Sequence, residues 1–214
     1  MGRLYFEFHS GGYQLLGRTL SDHHLGYDAQ APDPTVLGGS KFFWVSKRCF
    51  DVSASLLLLL ILIPLAGVIL ILNPFLNRGK LFFVQKRMGR DCRPFYAIKF
   101  RSMKNIDQIT RFAGDPIEHD RITTLGRFLR KTHIDEMPQV LNVLKGEMSL
   151  IGPRPDDYEH ACAFKAAIPS YRDRHIIRPG ITGLAQVDLG YIEGIDATRG
   201  KVAKDLYYIR HAGA

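Results

Sequence analysis

The chain of 214 residues holds only three cysteines, Cys49, Cys92 and Cys162, far apart and odd in number. That excludes a readable disulfide framework and any CxxC pair, and it fits a reducing, cytosolic face. Eight histidines are present, but none falls in an HExxH or mixed Cys/His ligand pattern, and His23-His24 reads as an exposed pair. Neither GxxxxGK[ST] nor GxGxxG occurs, so no standard nucleotide-phosphate loop is visible. There is no internal repeat. Between Val52 and Leu72, VSASLLLLLILIPLAGVILIL, there is no charge at all.

That uncharged run decides the class of the protein. A hydrocarbon core takes ~20 apolar residues for a straight crossing, and the run is just long enough. Its flanks argue against a simple crossing. Lys47 and Arg48 precede it, and Arg78 and Lys80 follow it. Basic residues near a membrane segment tend to stay in the cytoplasm, and here both ends carry them. Pro64, near the middle, removes a helical hydrogen bond and predicts a bend. A re-entrant helix that enters, breaks at Pro64 and returns to the same face satisfies both signs. A single crossing and a buried core helix are the alternatives. The run begins ~50 residues in, too late for a cleaved signal peptide.

With Met1–Gly39 and the run set aside, ~140 residues remain, enough for one domain with its own core. The expected organisation is an extension of unassigned role over 1–40, a membrane element over 41–78 and a compact domain over 79–214. The formal charge of +8 suits an anionic membrane surface, phosphorylated substrates or nucleic acid. The scattering of cations through loops, without an aromatic-basic platform, speaks against nucleic acid. LFFVQKRM (81–88) and FYAIKFRSM (95–103), joined by GRDCRP, predict a β-hairpin. Helical spacing is carried by Leu125, Phe128 and Leu129, and then by Met137, Val140, Leu141 and Leu144, with Gly146 placed to end the second helix. IGPRP (151–155) and RPGITGLAQ (178–186) read as loops. Further helices are expected over 161–167 and 199–210, giving a mixed α/β (α+β) domain.

Asp135 and Glu136 stand out because Pro138 follows them, and proline belongs in a helix's first turn. The pair therefore lies at a helix start, where free amides and the dipole favour negative charge. An acidic first turn that merely stabilises its helix is one reading. The neighbours favour another. Arg127, Arg130 and Lys131 lie just upstream, Lys99 and Arg101 project from one strand face, Arg154 sits between two prolines, and Arg178 precedes Pro179-Gly180. Arginine grips phosphate oxygens bidentately, whereas lysine acts as a point charge. Adjacent carboxylates suit magnesium, and a carboxylate can also attack phosphorus itself. Asp188 and Asp205 are weaker polar candidates.

In this order, the proline-containing apolar run, FVQKRMGRDCRPFYAIKFRSM, RITTLGRFLRKTHIDEMPQVLNVLKGEMSLIGPRP and RPGITGLAQV resemble the bacterial sugar transferase family, the monotopic phosphoglycosyl transferases, from about Lys47 to Tyr208. The resemblance implies a Mg2+-dependent enzyme that moves a sugar-1-phosphate from a UDP-sugar to a polyprenyl (undecaprenyl) phosphate, releases UMP and starts glycan assembly. It implies the inner face of the bacterial cytoplasmic membrane as the site of action, with the catalytic domain in the cytoplasm. It makes Asp135 the nucleophile and Glu136 a magnesium ligand, puts Arg130 on substrate phosphate, and places Lys99, Arg101 and Arg154 near the phosphates. Nucleic acid is not an expected partner, and a homo-oligomer is compatible with this reading. His133 and Val187–Tyr191 depart from the family pattern. A membrane-anchored nucleotide-sugar or lipid-phosphate binding protein without turnover is the competing reading.

Overall fold

A computed structural model describes residues 7–9, 12–15, 18–20, 36–77, 79–104, 119–190 and 195–213. The chain divides into two units, Met1–Ala31 and Pro32–Ala214. The first contains three short antiparallel strands, β1 (Glu7–His9), β2 (Gly12–Leu15) and β3 (Arg18–Leu20), in the order β1-β2-β3.

The second unit starts with the apolar run, which forms one helix, α1 (Lys41–Leu76). Ser40 caps its start by accepting a hydrogen bond from the Phe43 amide at 3.1 Å. At 1.5 Å per residue it is about 54 Å long. It is apolar enough to cross a membrane. The break expected at Pro64 is not a gap between two helices: helical residues continue on both sides of Pro64 and of Pro74. A proline removes a single amide from the ladder, so any bend there lies within one helix.

Asp51, Ser55, Leu62, Ile69 and Asn73 form the buried stripe of α1. Leu57, Leu60, Ile63, Leu70, Ile71 and Phe75 remain exposed. Both ends of the helix are fastened to the same domain. Near its start, Asp51 accepts from Ser149 Oγ at 2.7 Å and from the Leu150 amide at 3.2 Å, and Arg48 donates to the Val143 carbonyl at 2.8 Å. At its end, Asn77 donates to the Arg101 carbonyl at 2.7 Å and Asn73 to the Gly79 carbonyl at 2.6 Å.

The predicted hairpin is present as β4 (Phe82–Met88) and β5 (Pro94–Phe100), antiparallel, pairing Phe82 with Phe100 and Met88 with Pro94. Its connection needs left-handed backbone at Asp91 and Cys92. Next come α2 (Thr124–Lys131), capped by the Thr123 hydroxyl, and a 3-10 turn over Ile134–Gln139 that runs into α3 (Val140–Lys145). Gly146, at φ 85°, ends α3 as expected.

A parallel pair not expected from the sequence forms where the first predicted loop begins and within the second: β6 (Ser149–Ile151) and β7 (Gly180–Thr182). Here Gly152 and Gly180 approach so closely that a Cβ on Gly180 would collide with the Gly152 amide nitrogen. The remaining helices are α4 (Tyr158–Ala167), α5 (Leu184–Leu189) and α6 (Ile195–His211). α4 and α6 start earlier than expected, and α5 occupies the end of the second predicted loop. The apolar core includes Leu62 and Ile69 of α1 with Phe100, Leu125, Leu129 and Val140. The unit is thus a mixed α/β domain carrying one long apolar helix.

Candidate active site

Asp135 and Glu136 lie in the first turn of the 3-10 segment that leads into α3. The chain enters this turn through His133 in left-handed backbone, φ 56°, and the Glu136 amide donates to the His133 carbonyl at 3.1 Å. Pro138 sits inside the turn, where its missing amide costs little. α3 is then pinned behind it. Asn142 is fully buried: its Oδ1 accepts from the Ile98 amide at 3.1 Å, and its Nδ2 donates to the Tyr96 carbonyl at 2.8 Å and to Glu147 at 2.7 Å. One side chain therefore stands in for a strand neighbour of β5 and locks α3 to it. At the far end of α3, Arg48 and Arg178 serve its terminal carbonyls, Arg178 Nε donating to Gly146 at 2.8 Å.

Both carboxylates are buried, but their surroundings differ. Lys99 Nζ is 2.8 Å from Glu136 Oε1, Arg154 Nη1 is 2.8 Å from Oε2, and Arg154 Nη2 also donates to Oε1. Burial alone would raise the Glu136 pKa; the Arg154 hydrogen bonds and the Lys99 charge outweigh it and hold the carboxyl at about 2. Burial in turn brings Lys99 down to about 8, with Glu136 pulling the other way. Asp135 makes no hydrogen bond or ion pair among the described residues. Burial, and then the charge of Glu136, push its carboxyl above the usual range, against the opposing charges of Lys99 and Arg130. Neighbouring carboxyls whose pKa values are driven apart have the signature of divided acid–base or nucleophilic roles.

Lys99 and Arg154 border a narrow cleft, of about 10 Å³, together with Arg87, Ala97, Gln139 and Pro155. Arg87 was not legible as a site residue. Its signal lies in the register: Gln85 and Arg87 on β4 share one face with Ala97 and Lys99 on β5. Arg87 donates to the Pro155 carbonyl at 3.0 Å, which aims it at the same cleft. Arg154 is held from behind. Arg174, fully buried, donates to the Arg154 carbonyl at 2.6 Å, pairs with Asp205 at 2.8 Å and also pairs with Asp156. Lys201 and Tyr171 bond Asp156 as well. Asp205 is therefore a structural anchor, and Asp188 pairs with Lys204 at the surface.

The other expected cations are placed differently. Arg130, in the last turn of α2, contacts Met103 Sδ at 3.7 Å and counts among the charges that favour ionised Asp135. Arg101 is buried and donates to the Asn77 carbonyl at the end of α1. Arg178 is at the end of α3. The structure thus brings Asp135, Glu136, Lys99 and Arg154 together and engages Arg101 and Arg178 on backbone carbonyls. Among the described residues, no group of three or more His, Cys, Asp or Glu gathers as a metal cage. Magnesium needs none, since it takes one or two carboxylates plus substrate phosphates. A carboxylate offers about four lone-pair sites. Those of Glu136 receive three N–H bonds, leaving one on Oε2, and Asp135 is unpaired. The residues fit such an ion.

The family model for bacterial sugar transferases matches residues 42–214. The chain belongs to the bacterial sugar transferase family. Among its relatives, a UDP-N-acetylgalactosamine-undecaprenyl-phosphate N-acetylgalactosaminephosphotransferase of Aeromonas hydrophila is 43% identical over 77% of this chain. The exopolysaccharide production protein PSS of Rhizobium leguminosarum bv. phaseoli is 38% identical, with 77% of this chain and 86% of that protein aligned. A UDP-glucose:undecaprenyl-phosphate glucose-1-phosphate transferase of Klebsiella pneumoniae is 38% identical over 78% of this chain. The chain spans 39% of the Aeromonas relative and 36% of the Klebsiella one, so within the sugar transferase family it corresponds to a part of the larger members and to most of the Rhizobium protein.

Proposed function

We propose that the chain transfers a sugar-1-phosphate from a UDP-sugar to a polyprenyl phosphate, with Asp135 as nucleophile. The observation that carries this reading is the asymmetry of the pair: Glu136 is engaged by Lys99 and Arg154, while Asp135 is buried, unpaired and raised in pKa. An Asp135 oxygen attacks the phosphorus that bears the sugar, and the bond from that phosphorus to the UMP oxygen breaks. UMP leaves. An oxygen of the polyprenyl phosphate then attacks the same phosphorus, the bond to Asp135 breaks, and a sugar-diphospho-lipid departs with the carboxylate restored. Lys99, Arg154 and Arg87 supply cations for the phosphate oxygens, and Arg130 adds charge beside Asp135. Asp135 and Glu136 would hold magnesium, which would supply further charge neutralisation on the diphosphate.

The names of the relatives support both substrates, and the exposed apolar surface of α1 supports a membrane setting. A helix of about 54 Å fastened at both ends to one domain supports same-side, re-entrant or in-plane seating over a crossing. The basic flanks support the cytoplasmic face of a bacterial inner membrane. The test is UMP release by the full chain with UDP-sugars, undecaprenyl phosphate and magnesium. Asp135→Asn should reduce it at least a thousand-fold, and donor alone should leave a phosphosugar adduct on the Asp135 peptide. Full turnover in Asp135→Asn removes the nucleophile assignment. Donor binding without UMP release across a donor panel would favour the binding-protein reading.

A further inference from the structure

Strand alternation divides the β4–β5 hairpin into two chemistries. One face carries Arg87 and Lys99 into the cleft. The other carries Phe82, Val84 and Lys86 opposite Phe100, Ile98 and Tyr96. Of these, Phe82, Val84 and Tyr96 are 43%, 53% and 60% exposed. Scattered exposed apolar residues are ordinary, but a contiguous apolar patch marks a contact surface.

Three features identify what covers it. The first is continuity. Phe82 stacks on Phe100 with ring centroids 5.4 Å apart, and Phe100 belongs to the same apolar cluster as Leu62 and Ile69 of α1. The patch therefore adjoins the apolar cluster to which α1 contributes. The second is charge. β4 and β5 contain no acidic residue; the charged side chain on their outer face is Lys86, and Lys80 stands exposed just before β4. The third is gradation. Phe82 and Val84 lie toward α1, whereas the far end of the patch is Tyr96 opposite Lys86, whose ammonium rests 4.3 Å from the Tyr158 ring centre. Apolar residues grading into tyrosine and lysine match the passage from acyl chains to headgroups.

We infer that the outer face of the β4–β5 hairpin lies in the headgroup layer of an anionic bilayer, as a second membrane contact beside α1. This rests on the membrane seating proposed for α1. The contact sets the inner-face cations one strand thickness from the lipid surface, where the phosphate of a membrane-borne acceptor resides.

The experiment uses the full chain with its three cysteines changed to serine and single cysteines introduced by Val84→Cys, Tyr96→Cys, Leu60→Cys in α1 or Glu159→Cys in α4. Each is labelled with an environment-sensitive fluorophore and reconstituted in phosphatidylcholine–phosphatidylglycerol vesicles bearing nitroxide lipids. Labels at 84 and 96 should be quenched several-fold more than the label at 159, most by headgroup nitroxides, and the label at 60 most by acyl-chain nitroxides. Quenching at 60 with labels at 84 and 96 behaving like 159 overturns the inference and leaves the seating of α1 intact. No quenching at 60 overturns both. Labels at 84 and 96 that escape lipid quenching but become shielded from aqueous iodide as protein density rises would assign the face to a second copy of this chain, which also overturns it.

Discussion

Asp135 and Glu136 are chemically identical in their end groups and one residue apart, yet their fields drive them in opposite directions. The proposed attack by Asp135 needs the anion, so UMP release should rise with pH along a limb displaced above that of an ordinary aspartate. It should fall again through about 8, as Lys99 loses its proton and the cleft loses a cation. Lys99→Arg should shift the upper limb to higher pH and leave the lower one in place; an unchanged upper limb would detach it from Lys99. Glu136, held at about 2, contributes stability that is fully present above about 4.5 and is lost as pH falls toward 2. Glu136→Gln should flatten that acid dependence of unfolding. The pair itself was legible, because Pro138 fixes the turn. Its asymmetry was not, because Lys99 and Arg154 reach Glu136 from segments 37 and 18 residues away in sequence.

At the scale of elements, one buried amide holds the catalytic turn. Asn142→Ala would leave the Ile98 amide, the Tyr96 carbonyl and the Glu147 carboxylate without their partner, and should cost about 3 kcal/mol in urea unfolding followed in detergent. Asn142→Asp should not recover this, since a carboxylate cannot donate to Tyr96 and would face the Glu147 carboxylate. A loss below about 1 kcal/mol in the alanine variant would mean that water replaces the amide readily. The hairpin was readable from two β-rich runs around GRDCRP, and α3 from its spacing and Gly146. β6 and β7 were not. Each has three residues, neither pairs locally, and the register of Ser149 with Gly180 is set by glycines that matter only once the two segments meet. The early start of α4 depends on capping by Asp157, whose carboxylate accepts from the Glu159 amide, rather than on apolar period.

At the scale of the molecule, the leucine run announced a membrane element, but its attachment was hidden. Asp51 meets Ser149 across 98 residues of sequence, and no local pattern foretells that bond. Same-side seating of α1 predicts that Val45→Cys and Lys80→Cys will both react with an impermeant maleimide in inside-out vesicles and resist it in intact cells. Opposite accessibility would establish a crossing.

The double fastening of α1 has a mechanical outcome. A domain hung on a loose tether sweeps a range of heights above its membrane; a domain riveted along its anchor addresses a single plane. On the proposed function, the Asp135 carboxylate then cannot descend to a deep-lying acceptor, and bilayer thickness and lateral pressure, rather than tether length, become the variables that govern how often a lipid phosphate rises to meet it.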